Sequence, residues 1–174
     1  MLNAMLLAML IGVVSDTHGY VDPRLLIAFV GVQAIVHAGD VGGAHVLEEL
    51  GRIAPVYAVH GNNDVPLGGL GLPVRFDVAL DGVDVHIVHE LPDAQPFAYT
   101  RVVVFGHSHR QLAEWRGDVL YLNPGAAGRV GFHRLQTCAL LRVEGTRITA
   151  KAIELGAREK LQRPARAVMP VTQA

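Results

Sequence analysis

Cysteine is almost missing from this chain of 174 residues, with Cys138 standing alone. One thiol forms no internal disulfide and no thiolate cluster. That excludes a disulfide scaffold, a zinc finger and an iron–sulfur site, and it fits a reducing cytoplasm. An excess of either charge is missing too. Fifteen Lys and Arg stand against sixteen Asp and Glu, a formal charge of −1, so no broad field exists to coat a nucleic acid or hold a membrane surface. Residues 1–14 are mostly apolar, but they are too few to span a bilayer as a helix. No Lys or Arg precedes Arg24, so the basic start of a signal peptide is lacking as well. A chain of this length that is 51% apolar can bury one full core but has no room for a second domain of useful size. A single domain over residues 1–156 is expected, with 1–8 a loose extension. From residue 157 onward Arg, Lys, Gln and Pro dominate without a periodic apolar face, which predicts a flexible C-terminal tail.

What the chain does have is punctuated apolar runs. Residues 10–14, 34–38 and 55–59 read as buried strands. Between them, Asp22-Pro23 opens a short helix that stops at Gly31, and 44–50 forms a second. This alternation predicts a mostly parallel α/β sheet, in which ligands gather beyond the carboxyl ends of strands. Further on, residues 74–80 and 83–88 flank Asp81-Gly82 as a hairpin, and 137–143 and 147–153 flank Glu144-Gly145 as another. Runs at 102–105 and 119–122 add two short strands. Residues 68–71 read as a Gly-rich spacer, because no Lys-Ser/Thr follows as a phosphate-cradling loop would require. The predicted fold class is α/β, two facing mixed β-sheets flanked by helices in four layers, αββα.

Nine histidines are the compositional surplus, and imidazole is the commonest metal ligand near neutral pH. Several of them fall at strand exits together with carboxylates and amides: Asp16-x-His18, Gly39-Asp40, Gly61-Asn62-Asn63-Asp64, His89 and Gly106-His107-Ser108-His109. Asp16 and His18 by themselves fit an Asx-type turn equally well. His107 and His109, two apart on an extended run, would point to one side. Oxygen and imidazole donors without thiolate suit Mn, Fe, Zn and similar divalent ions. Asp16, His18, Asp40, Asn62, His89, His107 and His109 are more donors than one ion needs, and sharing them between two ions leaves room for water and substrate.

In this order the motifs resemble the calcineurin-like metallophosphoesterases, and within them the small YfcE-like phosphodiesterase branch, over roughly residues 10–155. The surroundings Ser15-Asp16-Thr17-His18-Gly19 and Asn123-Pro124-Gly125 are similar as well. The resemblance implies that Asp16, His18 and His109 hold one metal, that Asn62, His89 and His107 hold the other, and that Asp40 bridges the two. It implies two divalent cations per chain, manganese first among Ni, Co, Fe, Mg and Zn, and a metal-bound hydroxide attacking a small phosphodiester. A homo-oligomer is left open. Asp64 is expected behind the ligands, and His60 and Asn63 against substrate.

The chain departs from the family pattern in three places. Asn63 stands where many members carry a histidine that protonates the leaving group. His89-Glu90-Leu91 replaces His-Gly-His, which brings a carboxylate near the second metal position. Ala126 replaces a serine. His37 reads as a core residue, and His45, His86 and His133 as helix-surface, strand-face and loop residues. The competing function is a scaffold of the same fold, like a retromer subunit, that binds partners without turnover.

Overall fold

A computed structural model describes residues 8–64 and 70–158. The first sheet contains β1 (Met9–Val14), β2 (Ala34–Ala38), β3 (Val56–Val59), β9 (Leu135–Glu144) and β10 (Arg147–Ala157), in the order β10-β9-β1-β2-β3. β1, β2 and β3 run parallel, while β9 and β10 are antiparallel additions on the β1 side. The second sheet has the order β4-β5-β6-β8-β7, built from β4 (Arg75–Leu80), β5 (Val83–Val88), β6 (Val102–Val104), β7 (Gln111–Arg116) and β8 (Val119–Pro124). Its centre, β5-β6-β8, is parallel and both its edges are antiparallel.

Strand periodicity decides which residues meet. Ile11 and Val13 of β1, Val36 of β2 and Leu141 of β9 point into the space between the sheets. They pack there against Val85 and Ile87 of β5, Val104 of β6 and Leu122 of β8, all fully or nearly fully buried. The alternate residues Val14, Ile35 and Cys138 face outward and are covered by α1 (Pro23–Ala28) and α2 (Ala44–Gly51) through Leu25, Val46 and Leu50. Two cores on opposite faces of the first sheet explain why its strands are apolar on both sides. Asp22 starts α1 by accepting from Arg24 N at 2.9 Å, with Pro23 in the first turn.

Several features go beyond or against expectation. No α-helix follows β3 among the described residues; the chain turns at 61–64 and crosses to the second sheet. Among the described residues, no α-helix covers the outer face of that sheet. His86 of β5 lies buried on it and accepts from Gln95 N at 3.2 Å, so the segment after β5 crosses there, its only helical part a 3-10 turn at Leu91–Asp93. Pro92 and Pro96 prevent a longer helix. β7 is a strand beyond those expected, joined to β8 by the Gly117-Asp118 turn, a pair that signals a hairpin. β10 continues through a bulge at Glu154/Gly156 to Ala157, which pairs with Leu135; residue 157 therefore belongs to the sheet. The remainder of the expected tail, the N-terminal extension through residue 7, and Gly68 and Gly69 of the spacer lie outside the described residues. Among the described residues, no helix is long and apolar enough to cross a membrane.

Candidate metal centre

The strand exits of both sheets meet at one edge. Asp16 follows β1, Asp40 follows β2 and Asn62 follows β3, and the two first-sheet loops are zipped by Asp16 N→Gly39 O at 3.0 Å and His18 N→Asp40 O at 2.9 Å. The second sheet is joined to them through His89, whose Nδ1 donates to Ala38 O at 2.7 Å, and through His107 N→Asp16 Oδ2 at 3.2 Å. Gly61 is required by this closeness. A Cβ at that position would collide with the backbone and carboxylate of Asp40.

The backbone is strained where the candidate ligands stand. Among the described residues, the non-glycine positions with positive φ are Asp16 (54°), His18 (47°), Asp40 (54°), His107 (65°), His109 (55°) and Asp81 of the β4–β5 turn (50°). Each left-handed non-glycine residue costs about 1–2 kcal/mol, and such outliers persist where surrounding structure over-determines them, typically at functional sites. The strain also corrects one expectation. Residues 107 and 109 are not on an extended run, and their left-handed backbones send the two rings to different ends of the site.

At one end, Asp16 Oδ1, His18 Nε2 and His109 Nε2 cluster within 4.8 Å of one another, with Asp16 Oδ1 and His109 Nε2 3.2 Å apart. At the other end, Asn62 Oδ1 lies 3.0 Å from His89 Nε2 and 3.1 Å from His107 Nδ1. Asp40 Oδ2 stands between the ends, 3.7 Å from His18 Nε2 and 3.5 Å from His89 Nε2. Asp16 and Asp40 are 0% and 2% exposed, a costly burial for two anions without a compensating charge. Asp16 Oδ1 and His18 Nε2 are buried without a hydrogen-bond partner among the described residues. Because Nδ1 of His89 is committed as a donor, the neutral ring carries its lone pair on Nε2, facing two further acceptors, Asn62 Oδ1 and Asp40 Oδ2. Acceptors converging on acceptors, with no thiolate among them, fit divalent cations.

Electrostatics follow this geometry. Burial works to raise the Asp40 carboxyl, but the hydrogen bond it accepts from His89 when that ring is protonated on Nε2 as well, and those from both donors of Asn63, outweigh it and hold the group below the usual carboxylate range. Burial also opposes charge on His89, yet Asp40 and the Ala38 carbonyl raise it above its ordinary value. A cleft of ≈ 460 Å³ opens over the cluster, lined by His18, Asp40, Asn62, His107 and His109 on the floor and by Phe132 and His133 on a wall.

Other expected site residues fall as follows. Asn63 lines the cleft, but its N and Nδ2 donate to Asp40 Oδ1 and Oδ2 at 2.9 and 2.6 Å, so it holds the carboxylate rather than reaching outward. Among the described residues, Asp64 makes no hydrogen bond to a histidine. Its carboxylate accepts from Val41 N, Gly42 N and Gly61 N at 2.8–3.0 Å, tying the loops after β2 and β3 together. His60 lies in a neighbouring cavity beside Asp93, outside the main cleft. Glu90 Oε2 is 4.0 Å from His107 Nε2. The side chain of Ala126 is fully buried, away from the cleft. His45 is exposed on α2. His133 lies in a loop as expected, and its Nδ1 is 3.1 Å from Nδ1 of His109. No local spacing signals this contact, because a 24-residue excursion through β7 and β8 separates the two rings.

His37, behind the site, is fully buried, and desolvation holds it down to about 4 from 6.5 despite the pull of Asp16 and Asp64. As pH falls below 6.5 the unfolded chain takes up a proton that the folded ring refuses, so stability is lost down to about pH 4. The loss should total about 3 kcal/mol. Denaturant unfolding of the metal-free protein at several pH values should show this slope, and His37→Gln should flatten it. An equally steep slope in the variant would assign it elsewhere.

Two packed mixed sheets with oxygen and imidazole donors gathered at their common edge define the class of the phosphoesterase fold. A model of the calcineurin-like phosphoesterase superfamily domain matches residues 9–146, and the chain belongs to that family. A probable metallophosphoesterase of Methanothermobacter thermautotrophicus is 31% identical over 164 residues, covering 86% of this chain and 94% of that one. Among solved structures, an archaeal phosphodiesterase superposes with a TM-score of 0.65 at 25% identity, covering 83% of this chain and all of the other. Vps29 of Entamoeba histolytica, solved as a complex with Zn²⁺, shares the fold with a TM-score of 0.64 at 17% identity, covering 85% of this chain and all of its own.

Proposed function

We propose that the chain is a phosphodiesterase that hydrolyses small organic phosphodiesters with two divalent cations. Asp16, His18 and His109 would hold one, Asn62, His89 and His107 the other, with Asp40 shared between them. The observation that carries this reading is the row of mutually facing acceptors from buried Asp16 Oδ1 to exposed Asn62 Oδ1, with Asp40 Oδ2 in contact range of both halves. Cations in such a cradle supply an activated water and neutralise charge on the phosphoryl oxygens. The chain's own contribution is geometric. Asn63 fixes the Asp40 rotamer, the Ala38 carbonyl fixes the His89 tautomer, and the open cleft admits a diester from one side.

Asn63 also limits the chemistry. A neutral amide gives no useful proton to a departing alkoxide, and this one is already spent on Asp40. Diesters whose leaving group departs as a stable anion, such as aryl diesters, are therefore the favoured substrates. The alternative reading, a scaffold of the Vps29 kind, shares the sheets. A Vps29 has been solved with Zn²⁺, so metal binding by itself does not separate the two readings; turnover does. Chelated protein should be inert toward bis(p-nitrophenyl) phosphate and regain hydrolysis when Mn²⁺, Ni²⁺, Co²⁺, Fe²⁺, Mg²⁺ or Zn²⁺ is added back singly, with Mn²⁺ the first to try. p-Nitrophenyl phosphate should be cleaved more slowly. Inert protein with every ion would favour the scaffold, and faster monoester cleavage would change the substrate class.

A further inference from the structure

His133 ends a hydrogen-bonded line that runs into the metal centre from behind. Its Nε2 lies 3.0 Å from the carbonyl oxygen of Gly128. A carbonyl only accepts, so Nε2 carries the proton and the His133 lone pair is on Nδ1. That lone pair is 3.1 Å from Nδ1 of His109, which must then be the donor. The remaining lone pair of His109 is left on Nε2, 3.2 Å from Asp16 Oδ1. The carbonyl at the far end is itself anchored to the same centre, because Gly128 N donates to Asp16 O at 2.9 Å. The line thus starts and finishes at Asp16.

Gly131 shows how closely the loop is fitted to this pair. It has a φ of +125°, and a Cβ there would stand 3.0 Å from His133 Nδ1 and nearer still to the ring of His109. Only glycine leaves the two nitrogens in reach of each other. The rings meet edge to face at 71°, with centroids 5.1 Å apart, so the contact joins nitrogens and is not a stacked packing of two rings.

We infer that His133 is a positioning residue that locks His109 in the tautomer whose Nε2 is free for the cation at the Asp16–His18–His109 end. The loop 128–133 is on this account part of the metal site and not only a wall of the cleft. The inference rests on the two-cation reading above. Its consequence is one-sided. Loss of the acceptor at residue 133 frees His109 to turn or to change tautomer, and weakens one cation while leaving the Asn62–His89–His107 end intact.

The test uses the full chain, stripped by chelation and titrated calorimetrically with MnCl₂. Wild-type protein should bind two ions. His133→Leu, which has no acceptor, should weaken one of them by about 10–100-fold, the usual consequence of losing an outer partner of a ligating histidine. His133→Asn, whose amide oxygen can accept, should recover most of the loss, and Gly131→Ala should reproduce the Leu defect without touching either histidine. Long-range ¹H–¹⁵N imidazole spectra of metal-free wild-type protein should show His109 protonated on Nδ1 and His133 on Nε2. Two Mn²⁺ ions bound with unchanged affinity by His133→Leu would overturn the positioning role and leave the metal site standing. A wild-type chain that binds no Mn²⁺ would overturn both. His109 protonated on Nε2 in the wild-type spectrum would overturn the lock, whether or not any variant folds.

Discussion

Asp40→Asn is expected to leave a folded protein with almost no metal-dependent diester hydrolysis. A carboxamide has one oxygen where Asp40 now uses two. Asn63 N and Asn63 Nδ2 each donate to a separate oxygen of Asp40, so one donor loses its acceptor or the new NH₂ is turned toward His18 and His89. In the second arrangement a hydrogen-bond donor occupies the position shared by both ends of the cradle, where a lone pair is needed. The charge facing the cations also falls by one. Electrophilic assistance by metal ions is worth several kcal/mol, and losing about 4 kcal/mol of it slows the reaction roughly 10³-fold. The metal-free variant should stay folded but melt lower than wild type, because the ionised Asp40 carboxylate is favoured by its hydrogen bonds in the fold and one Asn63 donor loses its acceptor. Steady-state kinetics with saturating Mn²⁺, set beside thermal unfolding of the stripped protein, check the two halves. Activity within tenfold of wild type would remove Asp40 from the bridging role.

Asp64→Ala should have the largest effect on stability. The carboxylate is 1% exposed and satisfies three backbone donors, Val41 N, Gly42 N and Gly61 N. Alanine leaves those N–H groups without the acceptor they share in this buried position. Each unsatisfied buried donor costs about 1–3 kcal/mol, so a total loss of about 3–5 kcal/mol is expected after partial relaxation. For a domain of this size that corresponds to a fall of about 10 °C in Tm. Because the loops after β2 and β3 carry Asp40 and Asn62, metal affinity should fall as well, even though Asp64 faces neither ligand end. Asp64→Asn should lie between wild type and Asp64→Ala, since one amide oxygen replaces two carboxylate oxygens. Urea unfolding of metal-free protein separates this from metal linkage. A change within 1 kcal/mol would show that the three amides find other acceptors.

The parts of the fold legible in the sequence are those governed by local pattern. β1, β2 and β3 announce themselves as uninterrupted apolar runs because both faces of the first sheet are covered, and Asp81-Gly82 marks its hairpin because both residues adopt positive φ there. β7 was overlooked for the opposite reason. Its residues are mostly exposed, from Leu112 to Arg116, so it lacks a clean alternation, and only the Gly117-Asp118 turn betrayed it. That the segment after β5 makes only a 3-10 turn over the second sheet follows from Pro92 and Pro96, whose rings are visible in the sequence while the path of the segment over His86 is not.

By itself the sequence determined which atoms were available: carboxylates, amides and imidazoles placed after strands, a single thiol, and glycines beside several of the candidate ligands. Those are consequences of residue type and short spacing, and they point to cations and to a family without any coordinates. Only the tertiary structure decided the relations among them. It sorted His107 and His109 to different ends through left-handed backbone, turned Asn63 inward to hold Asp40, gave Asp64 to three amides, set His60 in another cavity, and brought His133 to His109. The physical reason is range. Periodicity and turn chemistry act over a few residues, whereas each of these contacts depends on how two sheets pack and where their edges coincide.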